Sequence, residues 1–203
     1  MKSYTFHVSL PGTGRTWRKL ELRADQTLQD LHLAIQDAFE WDNDHLYAFY
    51  MSGQAWDSDS EYRLPEGYTP WGEFIEDDDD DELELLELTP AEREAQLRQL
   101  FGRDTDMTLA EMEAEMANFW ESFLQEEAES GPGNSLETEL AALNLQPKQE
   151  FMYLFDFGDE HRFKVRVHAI NEQADPAVDY PRLVESVGDS PPQYYDYWDD
   201  DEW

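Results

Sequence analysis

The sequence predicts an α+β fold: a mainly antiparallel sheet made from N- and C-terminal hairpins, one packed helix, and an acidic helical insertion between them. Three observations predict it. Period-two segments occur in adjacent pairs toward both ends of the 203 residues, a single segment of helical period follows the first pair, and strands and helices do not alternate regularly along the chain.

Tyr4, Phe6, Val8 and Leu10 alternate with Thr5, His7 and Ser9, the spacing of a half-buried strand over 3–10. Pro11-Gly12-Thr13-Gly14 turns the chain, and Trp17 to Arg23 returns with Leu20 and Leu22 on one face. Thr27-Leu28-Gln29-Asp30 is a capping-box pattern, so a helix should follow, with Leu28, Leu31, Ile35 and Phe39, joined by Ala34 and Ala38, as its apolar stripe. Trp41 to Asp44 ends that helix, and Leu46 to Met51 reads as a short aromatic strand. Residues 52–87 lose periodicity and read as loop and charged linker around the acidic run Glu76 to Glu82.

Two helices are predicted next. Thr89-Pro90-Ala91-Glu92 offers an N-cap, a proline at the first helical position and a reciprocal carboxylate, with Gly102 closing the helix. Thr108-Leu109-Ala110-Glu111 repeats the device ahead of Met112, Met116, Phe119 and Phe123, an apolar seam that Trp120 and Leu124 widen. Such a seam packs either on its own chain or on a partner. Ser130 to Ser135 breaks the chain before a short helix with Leu136, Leu140 and Leu143. Phe151 to Phe157 is then a nearly continuous apolar strand, and Phe163, Val165 and Val167 alternate with Arg162, Lys164, Arg166 and His168 in its hairpin partner across Gly158 to His161. The end, Tyr194 to Trp203, reads as a loosely held acidic, aromatic tail.

Charge is unevenly spread over this frame. The formal net charge is −34, but residues 1–63 hold 10 acids and 6 bases, 64–147 hold 24 and 3, and 148–203 hold 14 and 5. A salt-adapted surface would be acidic throughout. The chain is therefore expected to be one domain whose core is 1–63 with 148–195, interrupted by an acidic insertion over 64–147 and followed by a tail over 196–203. So acidic a chain is not expected to grip nucleic acid directly, since counterions are released only where Lys and Arg replace them. The absence of Cys excludes disulfides, thiolate metal sites and a cysteine nucleophile, and suits a reducing compartment. With neither a leader pattern at Met1 to Leu10 nor a run of the ~18 apolar residues a membrane span needs, a cytoplasmic location is expected.

Motifs with chemical content are few. Asp156-Phe157-Gly158 spells the kinase metal triplet without the rest of a kinase, and Asp57 to Glu61 opens like a calcium loop but has Tyr62 and Tyr68 where glycine and glutamate belong. No motif calls for a cofactor. His32 and His45, at the helix and the start of the next strand, can approach Asp156 and Asp159, and two imidazoles with two carboxylates can hold a metal or share a proton. Equally, these histidines can lock loops by hydrogen bonding.

Several blocks together resemble the plasmid pRiA ORF-three-like family, small bacterial and archaeal proteins often met on mobile elements and without an assigned activity. Trp17-Arg18 resembles its Trp-Arg pair, Leu31-His32 its Leu-His pair, and Trp41 with Asp44-His45-Leu46-Tyr47 and Phe49 its helix-to-strand signature. Phe155-Asp156-Phe157-Gly158-Asp159 is similar to its aromatic-Asp-Phe-Gly-Asp block, and Pro191-Pro192 to its closing segment. The sequence departs from the pattern after Asp159, with His161 and Phe163 where many members carry Trp and then His. The resemblance implies an α+β domain and no reaction.

Two functions of different class are expected from this. One is a non-enzymatic interaction protein that presents its acidic insertion, with Met112, Met116, Phe119, Trp120 and Phe123, to an unidentified basic protein; a variant of it is an acidic mimic of nucleic acid. The other is a metal-assisted hydrolase using His32, His45, Asp156 and Asp159, with Arg18 holding an anionic substrate; Trp17 and Tyr47 are further candidate binding residues.

Overall fold

The computed structural model describes residues 1–65, 67–74, 89–101, 105–118 and 132–194, with 99–101 as backbone only. The chain divides into two compact units, Met1–Ile75 with Gly131–Trp203, and Glu76–Ser130.

Among its described residues the first unit has one sheet and one α-helix, with a 3-10 turn at Ser58–Ser60. Strands β1 (Ser3–Ser9) and β2 (Trp17–Arg23) form the first hairpin, and helix α1 (Leu28–Phe39) follows. Then come β3 (Tyr47–Tyr50), β4 (Glu61–Arg63), β5 (Gly133–Asn134), β6 (Glu150–Phe155), β7 (His161–Asn171) and β8 (Arg182–Val187). They lie in the order β5-β4-β3-β6-β7-β1-β2-β8, antiparallel throughout except for the β4–β5 pair. The two terminal hairpins meet at the centre, where β1 pairs with β7. The α+β reading, with its mainly antiparallel sheet, is therefore the observed fold.

Alternation decides which face is buried. Phe6, Val8, Leu20, Leu22, Phe151, Tyr153, Phe155, Phe163, Val165 and Val167 all point to one side and are almost wholly buried. Leu28, Leu31, Ile35 and Phe39, spaced as one helical face, close over them and are fully buried too. Each such side chain removed from water contributes about 1.5–3 kcal/mol, so this layer is the main source of stability. The opposite sheet face carries cross-strand ion pairs such as Lys19–Glu185 and Lys164–Glu150, and a small cluster of Ala48, Tyr50 and Leu154.

The start of α1 is completely satisfied. Thr27 and Asp30 form the predicted capping box, with Asp30 N–H donating to Thr27 Oγ1 and Thr27 N–H to Asp30 Oδ2. The next orphan donors are met from far along the chain: Leu28 N–H donates to Thr138 O and Gln29 N–H to Ser135 O. This explains a difference from expectation at Leu136 to Leu143. These leucines are spaced as in a helix, but the segment is a series of turns whose amides of Leu140 and Ala141 bond to Gln26 O and Ala24 O. Leu140 and Leu145 are buried in the first unit's core, so the structural boundary falls near 130 and not at 147, where the charge count put it.

Other differences concern short or exposed strands. β4 lies inside the stretch read as loop, because three residues carry no period, and β5 is shorter still. β8 was not anticipated: as an edge strand with Arg182 to Glu185 exposed it shows no alternation, and its pairing with β2 is what orders it. The first strand of the C-terminal hairpin, β6, ends at Phe155, two residues early, because Asp156 turns with φ 56°.

In the second unit, α2 (Pro90–Phe101) begins at the predicted cap, Thr89, whose N–H and hydroxyl both donate to Glu92. A further helix is described over 109–118, capped by Thr108 and Glu111 in the predicted way. Arg93 and Glu113 pair at 3.6 Å, and Leu97 and Met112 are buried. Residues 195–203, most of the expected tail, lie outside the described residues.

The core layer predicts an asymmetric response along α1. Ile35→Ala should lower the unfolding free energy by about 2–5 kcal/mol in urea titrations. Leu33→Ala, on the outward side of the same helix, should change it by no more than about 0.5 kcal/mol.

Candidate functional site

The end of the sheet where β6 turns into β7 gathers most of the polar candidates. Asp156 leaves β6 in a left-handed conformation, which directs its Oδ1 back onto the turn, where it accepts from Gly158 N–H at 2.8 Å and Asp159 N–H at 3.3 Å. Glu160 N–H closes the turn onto Asp156 O. Asp156 N–H is itself held by Leu46 O, beside His45. The second carboxylate oxygen, Oδ2, is left facing His45 Nε2 at 3.6 Å. On its other side the same imidazole nitrogen stands 3.9 Å from Asp44 Oδ1. Neither distance is a hydrogen bond.

His161, the first residue of β7, completes the group. Its ring packs against Trp41, with centroids 4.8 Å apart, and against Phe155. Donor atoms of Asp156, Asp159 and His161 lie within 4.8 Å of one another. Asp156 is buried, His161 half-buried and Asp159 exposed, so the group opens to solvent on one side. His161 also borders a concavity of about 800 Å³ that reaches Pro11, Gly12 and Thr13 in the first hairpin turn.

The C-terminal segment straps this end of the molecule. Trp41 Nε1–H donates to Pro191 O, Gln193 exchanges hydrogen bonds with the Asp42 backbone, and Tyr194 O–H donates to Asp44 Oδ2 at 2.6 Å. Burial and the Asp44 carboxylate push the Tyr194 hydroxyl well above its usual range, so it remains a donor.

The remaining sequence-derived candidates lie elsewhere. His32 is fully buried between α1 and the sheet, stacked on Tyr47 with ring centroids 3.7 Å apart. Its Nδ1 is bonded to the Tyr153 hydroxyl and its Nε2 to Asn43 Oδ1, so both nitrogens are engaged by neutral groups and neither is a free ligand. Its inclusion with Asp156 and Asp159 is corrected: it is a core histidine. Tyr47 is equally internal, hydrogen-bonded to Gln29 and Ser135.

The Arg18 guanidinium is taken up inside the fold. It is buried over the Phe39 ring and donates to the carbonyls of Ala38, Trp17, Val187 and Gly188 and to Ser190 Oγ. Those acceptors consume the fork and pin the end of β8 to the end of α1. Trp17 lies on the other sheet face, stacked on His7. Met112 is buried within the second unit and Met116 half-buried, so Met112 is withdrawn from the proposed partner surface. Phe119, Trp120 and Phe123 lie outside the described residues.

Of the four polar candidates, the structure thus joins His45, Asp156 and Asp159 and sets His32 apart. It adds His161 and Asp44. The signal for His161 was present as the compact spacing Asp156-x-x-Asp159-x-His161, which a single tight turn folds together.

An eight-stranded, mainly antiparallel sheet covered on one face by α1, with a polar cluster at the second hairpin turn, defines an α+β protein whose fold by itself names no reaction. The chain belongs to the plasmid pRiA4b ORF-3-like protein family, whose model matches residues 2–197. A solved structure, a protein of unknown function from Methanosarcina mazei Go1, is similar at 20% identity and a TM-score of 0.48, covering 91% of this chain and 69% of that one. No curated protein matches the chain. Among the described residues no helix is long and apolar enough to cross a membrane.

The internal position of His32 has a pH consequence. Burial lowers its pKa from 6.5 to about 3, so the native state refuses a proton that the unfolded chain accepts below about 6.5. Stability should therefore fall as the pH drops through the window from about 6.5 to 3, by about 2 kcal/mol at pH ~5 from this group. Protonation of surface carboxylates relieves repulsion and acts the other way. The test is the difference between wild type and His32→Gln in urea titrations: the advantage of the wild type should shrink from pH ~7.5 to ~5, and a constant difference would remove the argument.

Proposed function

We propose that this protein is a non-enzymatic interaction protein in which the sheet and α1 form a scaffold and the acidic unit is a surface for a basic protein. One observation carries the reading. Glu76–Ser130 forms a compact unit of its own, and it holds 20 acids against 3 bases, net −17, half of the formal charge of −34 in about a quarter of the chain.

Concentrating like charge in one unit raises its folded free energy by self-repulsion, and a cationic partner lowers it. The same field speeds encounter with a basic surface and disfavours acidic ones, which supplies selectivity before any close contact forms. Thr89 with Glu92, and Thr108 with Glu111, cap the described helices with side chains already acidic, so the carboxylates lower the local cost of the helix starts while adding to the field. The core contributes rigidity: Arg18, Trp41 and Gln193 tie the C-terminal segment down by hydrogen bonds.

The experiment is affinity purification of the full chain from its native host with mass spectrometry, beside a variant carrying Asp77 to Asp81 as Asn and Glu82, Glu84 and Glu87 as Gln. Retained partners should be basic, should be reduced about tenfold or more with the variant, and should elute as salt approaches ~1 M, where the screening length falls to about 3 Å. Retention of the same partners by the neutralised variant would contradict the reading. Competition between the partner and duplex DNA would favour the mimic form of the same idea.

A further inference from the structure

The polar cluster at the second hairpin turn belongs to the first unit, and the inference from it does not rest on the proposed function. We propose that Asp156, Asp159 and His161, with His45 as fourth donor, form a binding site for a divalent first-row transition-metal ion such as Zn2+.

The argument begins with preorganisation. Asp156 Oδ1 is fixed by two backbone amides, so the carboxylate cannot rotate freely, and its Oδ2 is turned toward His45 Nε2. The His45 nitrogen stands 3.6 Å from that oxygen. This is too long for a hydrogen bond, and close to the donor–donor edge of about 3.4 Å in a tetrahedral site with metal–ligand lengths of about 2.1 Å.

A second observation points the same way. His161 Nε2 is buried and has no hydrogen-bond partner, so an imidazole lying beside two carboxylates has a polar atom that the protein does not satisfy. Buried polar atoms are nearly always paired, and ion coordination by the ring supplies what is missing. Asp159 is exposed, and its side chain can move the ångström or so that separates a 4.8 Å spread from a closed shell.

Donor chemistry selects the ion. Two imidazoles with two carboxylates suit Zn2+, Fe2+, Mn2+ or Co2+ better than Ca2+ or Mg2+, which take oxygen shells. Electrostatics favours any of them: with Asp44 the site gathers three carboxylates around His45 and His161, and a bound dication offsets their repulsion. The packing of His161 on Trp41 and Phe155 aims the ring and leaves one side open to solvent, as in a site with an exchangeable position.

The acidic run Glu76 to Glu82 will collect cations loosely, so the test must separate the two. Full-length protein is titrated with Co2+, read by its visible d–d spectrum, and with Zn2+ in a competing chelator. One equivalent should bind with an imidazole-dependent spectrum. Asp159→Asn, an exposed change that spares the fold, and His161→Gln should each weaken Zn2+ binding by about tenfold or more and bleach the Co2+ signal. Circular dichroism of the metal-free variants checks that they are folded. The proposal is overturned if no stoichiometric Co2+ spectrum forms, if folded Asp159→Asn binds as wild type does, or if binding vanishes only when Asp77 to Asp81 are changed to Asn.

Discussion

The pairing of β6 with β7, Phe151 opposite Val165 and Tyr153 opposite Phe163, sets the sense of every side chain around it. A one-residue slip of β6 would turn Phe151, Tyr153 and Phe155 to water and bring Met152 and Leu154 under α1 instead. The same register ends β6 at Phe155, so that Asp156 falls where the strand is over and a left-handed turn is required. Polar chemistry at this end of the sheet is thus a by-product of hydrophobic bookkeeping in its middle. His45 and Asp44 arrive there because β3 pairs with β6 and begins at the same level, Tyr47 opposite Phe155.

Two kinds of histidine follow from that arrangement. His32 sits one position past Leu31 on α1, under the layer, and every polar atom of its ring is matched inside the protein. His45 lies just before β3 and His161 is the first residue of β7, at the end of the sheet where a ring can pack on aromatic residues beside carboxylates. Residue type alone does not distinguish them; depth below the sheet does.

What was legible in the sequence is what local physics controls. The three capping patterns at Thr27, Thr89 and Thr108 appear in the structure as drawn, since each is closed within four residues. The period of two at Tyr4 to Val8 and at Phe163 to Val167 is legible for the same reason: neighbouring side chains report the face directly. Leu136, Leu140 and Leu143 misled because their spacing suits a helix, whereas the amides of Leu140 and Ala141 are claimed by Gln26 O and Ala24 O. β8 was hidden because both its faces are exposed, and Arg18 looked like an anion holder because four of its five acceptors come from Ala38 and from 187–190, far along the chain. Asp156 and Asp159 were legible as a turn; the partnership with His161 needed the turn to be built.

The account rests on the sheet being complete without the acidic unit, its strands drawn from the two ends of the chain and from the turns at 132–147. Amide hydrogen exchange on a chain in which 76–130 is replaced by a flexible Gly-Ser linker measures this directly. Protection across β1, β6 and β7 should match that of the intact protein. Uniform loss of protection in those strands would show that the acidic unit is part of the core, and the division into scaffold and charged surface would fail.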